Sequence, residues 1–290
     1  MSTIFNRLAA AVPPYKDPMN EIDWAGADPE LPWLPDSMIS LSSLPVWNEL
    51  DENKKRQVSR VEFARLCAAG LWLEGLMIHR VTHAGFVAAD TLETQIVLQE
   101  VREETGHSLM FLKMIERAGM SGKHLLGPTG LLTTVAKMLN PKGAGFWAMV
   151  FIGESVTDTF ALKALKEADG EGQAICPLAR QVMQWHHADE ARHIAAAKAL
   201  LGEKIKAMSA VERAGFRLLT KLLIRRFLSA TLFPSLQSLE ALQFPNAREV
   251  WRQAHRSPAG RSLAESCAEP AMKLIDKRFS NNPQATASVQ

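Results

Sequence analysis

Cysteine is scarce in this sequence, with three residues in a chain of 290. They lie far apart, at Cys67, Cys176 and Cys267, and none belongs to a CxxC pair. This spacing excludes a CxxC metal knuckle, and the odd number provides no disulfide framework. A reducing compartment fits this cysteine usage, so we expect a cytoplasmic protein.

Blocks of like charge and long apolar runs are also missing. The 33 Lys and Arg and the 31 Asp and Glu are spread along the chain and give a formal net charge of +2. No segment therefore resembles a polyanion-binding tail, and we expect no nucleic-acid partner. The apolar stretch before Pro13 and Pro14 is too short to span a bilayer and lacks a convincing signal-peptide core. We expect no membrane partner.

Strand signals are nearly absent, because alternating runs of Val, Ile and Thr between turn residues do not occur. Helical periodicity predicts four long helices and a shorter one between Pro128 and Pro141. The long helices are expected at about 52–86, from the N-cap Asp90 to Gly119, up to Gly170, and at 177–202. The sequence therefore predicts an all-α protein.

The regions outside these helices differ in composition. Residues 1–45 are rich in proline and show no sustained period, which indicates an extended arm laid over the domain. Residues 203–290 predict accessory helices. One of these, FRLLTKLLIRRFLSATLF, is amphipathic with a basic face, and we expect it to pack on the bundle rather than lie on a membrane surface. We expect one domain over residues 1–290, with its bundle in residues 46–202.

Two of the long helices carry polar side chains on one face. In QWHHADEARHIA, residues His186, Glu190 and His193 have i, i+4, i+7 spacing, which places them within roughly 60° of one another on a helix. The same spacing recurs upstream in LQEVREETGHSLMF, at Glu100, Glu104 and His107. A weak internal repeat therefore presents Glu-x-x-His twice.

The other two long helices each carry a single acid in apolar surroundings. Glu74 lies in GLWLEGLMIH and Glu154 lies in AMVFIGESVTD, and neither has a Lys or Arg one turn away. The apolar neighbours predict that both carboxylates face the core. An isolated buried carboxylate costs several kcal/mol unless a positive charge meets it, so we expect a cation beside each.

Some nearby residues have more than one interpretation. Glu103 competes with Glu104, because its spacing to His107 is also compatible with a helix face, although the internal repeat favours Glu104. His187 and Asp189 lie outside the helix face formed by His186, Glu190 and His193, and they point toward solvent or contact the residues of that face from the outer side. Asp158 follows Glu154 by one turn and either orients a ligand histidine or is solvated.

One polar element on each long helix is the pattern of a ferritin-like bundle that binds two metal ions. Four carboxylates balance the charge of two divalent ions, and the mixture of oxygen and imidazole ligands suits iron or manganese. The sequence thus predicts a ferritin-like four-long-helix bundle with additional C-terminal helices and an extended N-terminal arm. The predicted metal ligands are Glu74, Glu104, His107, Glu154, His186, Glu190 and His193.

Several kinds of ferritin-like protein are disfavoured. A rubrerythrin-like protein has CxxC pairs, and a tyrosyl-radical reductase needs a tyrosine beside the metals, whereas the single tyrosine here is Tyr15 in the arm. Ferritin-type storage needs little beyond the bundle, whereas this chain has an added arm and tail. Di-iron hydroxylases, desaturases and ferritins usually have at most two histidine ligands, and His186 is a third.

With this ligand set, the sequence resembles the di-iron N-oxygenases typified by the p-aminobenzoate N-oxygenase of aureothin biosynthesis. The resemblance also includes GLWLEG, EETGHSLMF and DEARHIAAA, and it covers about residues 47–202. It implies that the seven predicted ligands hold two iron ions, with manganese the alternative. It further implies a peroxo-diferric species formed from O2, which oxygenates a small-molecule amine to a hydroxylamine, nitroso or nitro compound in natural-product biosynthesis.

The expected partners follow from what the chain does not encode. No Gly-rich dinucleotide fingerprint follows a strand and no Fe–S cysteine set is present, so we expect an external reductase or ferredoxin as the electron donor. The amine is expected to be an arylamine or derived from an amino acid, and a homodimer is common for such bundles.

Two alternative functions would use the same metal ligands. They are a C–H hydroxylase and a non-catalytic metal-storage protein. Leu71, Met77, Phe111 and Phe151 either line a substrate pocket or fill the core.

Overall fold

The computed structural model describes residues 3–10, 13–83, 91–120, 131–140, 142–169 and 172–279, and within these ranges it contains helices and no strands. The N-terminal arm has short helices, which are α1 (Thr3–Ala10), α2 (Pro18–Glu21) and α3 (Pro45–Asn48), with a 3-10 turn at Asp36–Met38. The bundle consists of α4 (Glu52–His83), α5 (Thr91–Arg117), the short α6 (Leu131–Met138), α7 (Ala144–Asp169) and α8 (Pro177–Lys206). The tail forms α9 (Ala210–Leu232), α10 (Leu236–Ala241), α11 (Ala247–Arg256) and α12 (Pro258–Phe279).

Within the described residues, the four long helices agree with the sequence prediction, apart from one end. Gly119 follows α5 with a φ of 69°, a left-handed conformation that glycine adopts without a steric penalty. The predicted stop at Gly202 is wrong, because α8 continues to Lys206 and buries Ile205 in the core. Burial of Ile205 offsets the cost of about 1 kcal/mol for a glycine inside a helix. The ends predicted at residue 86, Asp90 and Gly170 lie outside the described residues.

The bundle is built from two helix pairs. Helix α4 packs mainly on α5, and α7 packs mainly on α8. A continuous apolar core joins the pairs and also contains residues of the arm and of the tail, such as Leu34 and Cys267. Burial of this apolar surface is the main driving force for the assembly.

The arm and the tail are fastened to the bundle by specific contacts. In the arm, the backbone N–H groups of Trp33 and Leu34 donate to the Ser59 hydroxyl on α4, at 2.9 and 2.7 Å. In the tail, α9 buries Ile224, Phe227 and Leu228 against the bundle. The basic amphipathic helix therefore packs on the bundle, as predicted. No helix in the described part of the chain combines the length and hydrophobicity that crossing a bilayer requires.

Two glycines on the long helices differ in their surroundings. A Cβ atom at Gly153 of α7 would lie 2.2 Å from Leu73 Cδ2, whereas a Cβ atom at Gly75 of α4 would meet nothing within 4 Å. Leu73 and Gly153 precede Glu74 and Glu154, respectively. The absence of a side chain at Gly153 thus lets α4 and α7 approach each other where both carry an acid.

We predict opposite effects of alanine at these glycines. Gly153→Ala should lower the free energy of unfolding by about 1–2 kcal/mol, because overpacking costs about 1–3 kcal/mol and exceeds a helix-propensity gain of about 1 kcal/mol. Gly75→Ala should raise it by about 0.5–1 kcal/mol. Urea denaturation followed by circular dichroism, at equal metal loading, measures both. Equal stability of the two variants would contradict this account of the helix contact.

Candidate metal centre

Seven polar side chains meet in the interior of the bundle, and each is 5% exposed or less. One comes from α4, two from α5, one from α7 and three from α8. They are the seven residues that the sequence singles out: Glu74, Glu104, His107, Glu154, His186, Glu190 and His193. Each polar face of a long helix therefore points to the same place between the helices.

The ligand atoms of these residues form three overlapping groups, each with all of its atoms within 4.8 Å of one another. The groups are Glu104, His107, Glu190 and His193; Glu74, His107 and His186; and Glu154, His186 and Glu190. His193 Nδ1 lies 3.0 Å from Glu104 Oε1, and His186 Nε2 lies 3.0 Å from Glu190 Oε1. Because the groups share members, the cluster has the composition and extent of a site for two adjacent cations.

Several buried atoms of the cluster have no partner in hydrogen-bonding geometry among the described residues, although His193 Nδ1 and Glu104 Oε1 lie 3.0 Å apart. These atoms are Glu74 Oε1, Glu104 Oε1, Glu154 Oε1, His193 Nδ1 and both carboxylate oxygens of Glu190. Buried polar atoms are normally paired, and leaving one unpaired costs about 1–3 kcal/mol. So many unpaired acceptors at one place indicate that a cation completes the site.

The pKa values of two of the four acids reflect the same shortage of positive charge, whereas neighbouring histidines lower the pKa values of Glu104 and Glu190. Burial raises the pKa of Glu74 well above its ordinary value, and the neighbouring Glu104 carboxylate raises it further. Burial and then Glu190 raise the pKa of Glu154 in the same way. Burial would also raise the pKa of Glu104, but His193 and His107 lower it to about 2. Metal ions that bind here would therefore displace protons from some of the carboxyl groups.

A second layer of polar residues holds two of the imidazoles from outside. His193 Nε2 lies 2.9 Å from Glu103 Oε2, and His107 Nε2 lies 3.3 Å from Asp189 Oδ2. Arg192 donates to Glu103 at 2.7 Å and to Asp189 at 3.0 Å. With Nε2 engaged in this way, Nδ1 of each ring faces the inner carboxylates, which is the orientation a metal ligand needs.

The structure also decides between the interpretations that the sequence left open for several acids near the cluster. Glu104 faces the inner side of His193, whereas Glu103 lies on its outer side. Asp189 contacts His107 from outside the cluster, in agreement with its predicted position outside the polar face of α8. Asp158 lies 2.6 Å from Nδ1 of His187, which is not a predicted ligand. Orientation of a ligand histidine by Asp158 is therefore not observed in the described contacts.

Two residues of the site were not found from the sequence. Arg192 joins the outer acids, and the Ser108 hydroxyl donates to Glu74 Oε2 at 2.7 Å. The i, i+3 spacing of Asp189 and Arg192 was a usable signal for an ion pair on α8. The contact of Ser108 with Glu74 depends on the packing of α5 against α4, which helical periodicity does not determine.

The chain is similar to several known proteins. The family model described as P-aminobenzoate N-oxygenase AurF matches residues 4–278. Uncharacterized proteins of Mycobacterium bovis and Mycobacterium tuberculosis are 25% identical over 277 residues, which cover 91% of this chain and 79% of theirs.

Solved structures with a similar fold include R2-like ligand-binding oxidases. A variant with a Mn/Fe cofactor has a TM-score of 0.55 at 11% identity, and the alignment covers 96% of this chain and 93% of that one. A photoconverted form has a TM-score of 0.52 at 12% identity, with 97% and 94% covered. At such identities the likeness concerns the fold alone, which is the ferritin-like helical bundle. Because the family model spans nearly the whole described chain, the protein belongs to the p-aminobenzoate N-oxygenase AurF family and is a di-metal oxidoreductase.

Proposed function

We propose that the protein is an O2-dependent di-iron N-oxygenase that transfers oxygen to the nitrogen of a small-molecule amine. One observation carries the proposal: three buried imidazoles, those of His107, His186 and His193, face four buried glutamates in one cluster. This is the ligand set expected from the resemblance to di-iron N-oxygenases, and membership of the AurF family supports it.

The residues present fit two metal ions. The four glutamate carboxylates balance two divalent cations, and the unpaired acceptor atoms of the cluster would become metal ligands. Carboxylate oxygen and imidazole nitrogen suit iron, with manganese as the alternative. When bound, two ferrous ions would supply open coordination positions and the two electrons that dioxygen activation requires.

The contribution of the chain is orientation and exclusion of water. Glu103 and Asp189 hold the imidazoles of His193 and His107, respectively, from outside the cluster, and the Ser108 hydroxyl donates to the Glu74 carboxylate. On the helices that carry Glu74 and His107, the apolar side chains of Leu73 and Met110 are fully buried. Such surroundings keep bulk water from the cluster, so that a bound amine competes with little solvent for the activated oxygen.

The overall reaction requires an electron source outside the chain. Conversion of an amine and O2 to a hydroxylamine and water consumes two electrons and two protons. The sequence has neither a dinucleotide fingerprint nor an Fe–S cysteine set, so we propose an external reductase or ferredoxin as the donor. A homodimer in the cytoplasm remains part of this proposal.

Labelled dioxygen provides the direct test. The iron-loaded, chemically reduced protein should convert an arylamine to a product that carries one 18O atom from 18O2 on nitrogen. Mass spectrometry with fragmentation locates the label, and metal-free protein is the control. Label on carbon would instead support a C–H hydroxylase, and oxygen consumption without any oxygenated amine would support metal storage.

The adjacent histidines of α8 allow a matched test of the ligand set. His186 is buried in the cluster, whereas His187 is partly exposed and contacts Asp158. After dialysis, His186→Ala should retain about one iron atom per chain instead of about two, because one ion loses an imidazole ligand. His187→Ala should retain about two. Elemental analysis, with circular dichroism to verify folding, measures this, and full iron content in His186→Ala would refute the assignment.

Glu103 lies behind His193 and is expected to affect metal affinity or oxygenation, although it is not a predicted ligand. Glu103→Gln should weaken Fe(II) affinity or amine oxygenation by about 10- to 100-fold, because the amide holds the His193 ring less firmly. Glu116→Gln, an exposed position on the same helix, is the control and should behave as the unmodified protein. Competition with a chelator measures the affinity. An unchanged affinity together with unchanged oxygenation would remove Glu103 from the site.

A further inference from the structure

We infer that α9 binds the surface of a lipid bilayer that contains anionic lipids, through the side of the helix that faces away from the bundle. This side, called the outer face of α9, consists of Val211, Gly215, Leu218, Leu219 and Leu222. The inference goes beyond the proposed function and is independent of it, because it involves neither the metal centre nor the amine. It is carried by the apolar side chains of the outer face and by the cations beside them.

Helix α9 has apolar side chains on two sides. One side is buried on the bundle, as described above. On the outer face, Val211 is 82% exposed, Leu218 is 74% exposed and Leu222 is 54% exposed. Exposed leucines on the long helices of the bundle, such as Leu109 and Leu162, are less than half exposed. The packing of α9 on the bundle therefore leaves a second apolar face in solvent, and we propose a membrane partner where the sequence predicts none.

The outer face is continuous along the helix. Val211, Gly215, Leu218 and Leu222 follow one another at steps of four, three and four residues, so they lie on one side of the helix. At the rise of an α-helix, this row is about 17 Å long. A Cβ atom at Gly215 would meet nothing within 4 Å, so no described residue covers the row at that point. A contiguous exposed apolar row marks a surface that binds a membrane or another protein.

The positive charge of the chain is concentrated on the same helix. Helix α9 carries five of the 33 Lys and Arg, but only one of the 31 Asp and Glu. Because the whole chain has a formal net charge of +2, the residues outside α9 are slightly acidic as a group. The cations of α9 are Arg213, Arg217, Lys221, Arg225 and Arg226.

Two of these cations are available to a ligand. Arg225 and Arg226 are exposed, and neither forms an ion pair with a described residue. They follow Leu222 by three and four residues, which places one on each side of it around the helix. Cations in such positions can reach lipid phosphates while the leucine side chains enter the apolar part of the bilayer.

The remaining charges hold α9 in place. Arg217 and Lys221 both form ion pairs with Asp276 of α12, at 2.7 and 2.8 Å. Glu212, the single acid of α9, accepts a hydrogen bond from the Ser209 backbone N–H at 2.7 Å and so caps the helix. The outer face is therefore already formed without lipid, and binding requires little ordering of the chain.

The composition of α9 favours an anionic bilayer over other occupants. Two outer faces packed against each other would bring five cations of one copy beside five of the other, and like charges oppose such a contact. Protein interfaces depend strongly on Trp and Tyr, whereas none of the exposed residues of α9, all of which the structure describes, is aromatic. A bilayer with anionic lipids accepts both the leucines and the cations.

Binding of the full, iron-loaded chain to vesicles tests the inference. The probes are vesicles of phosphatidylcholine alone and vesicles that also contain about 30% phosphatidylglycerol, an anionic lipid. Co-sedimentation should show binding that is about ten-fold tighter to the anionic vesicles, and about 0.5 M NaCl should weaken it because salt screens the cations. Absence of binding to the anionic vesicles would overturn the inference, and so would equal binding to both kinds.

Substitutions of exposed leucines locate the contact. Leu218→Gln combined with Leu222→Gln should weaken binding to the anionic vesicles by about ten-fold, because less apolar surface enters the bilayer. Leu98→Gln combined with Leu109→Gln is the matched control on α5, where these leucines are 45% and 48% exposed, and it should change binding by less than about two-fold. Circular dichroism verifies folding. Equal losses in the two double variants would refute the assignment to α9.

Substitutions of exposed arginines test the role of charge. Arg225→Gln combined with Arg226→Gln should weaken binding to the anionic vesicles by about five-fold for each cation removed. Arg248→Gln combined with Arg252→Gln removes two exposed cations from α11 and is the control. An equal loss in the control would show that overall charge, and not α9, is responsible, and would overturn the inference.

Light scattering after size exclusion distinguishes a second copy from a bilayer. The unmodified protein and the Leu218→Gln, Leu222→Gln double variant should have the same mass in solution. If the double variant were a monomer and the unmodified protein a dimer without affinity for vesicles, the outer face would be an interface between copies and the inference would be wrong.

Discussion

The central constraint on this structure is that four carboxylates lie together in a water-poor interior. Glu74, Glu104, Glu154 and Glu190 are buried within one cluster, where desolvation and like charges raise the pKa values of Glu74 and Glu154, whereas the neighbouring imidazoles lower those of Glu104 and Glu190. An apolar core of ordinary composition would be more stable, because it would leave no polar atoms unpaired. The chain therefore gives up stability at this place, and the proposed binding of two metal ions would account for the arrangement.

The surrounding helices are arranged so that this unfavourable cluster can form. Each long helix contributes part of it, which lets the apolar faces on either side pack as in any helical bundle. The missing side chain at Gly153 allows α4 and α7 to approach beside two of the acids. The arm and the tail add buried apolar surface away from the cluster and so help to offset its cost.

The sequence predicted the helical bundle and the convergence of the seven residues, because helix geometry fixes which side chains share a face. The metal-binding role of those residues stays a prediction. Features that depend on how one helix packs on another were not predictable. The bridge made by Arg192 is one example. The lining of the small cavity between α4, α5, α7 and α8 that includes His186 is another example. Of Leu71, Met77, Phe111 and Phe151, only Phe111 is among the described residues that line it. The extension of α8 past Gly202 also follows from tertiary burial, which overrides local propensity.

The position of Arg192 between Glu103 and Asp189 has a mechanical consequence. Its planar guanidinium group makes contact with the acid behind His193 and with the acid behind His107. Both hydrogen bonds come from the same guanidinium nitrogen, Nη2, which keeps its positive charge, so the two acids are held at one point. The two imidazoles are thus joined on the outer side of the cluster by one chain of charged side chains, and the positions of both rings depend on the single guanidinium group of Arg192.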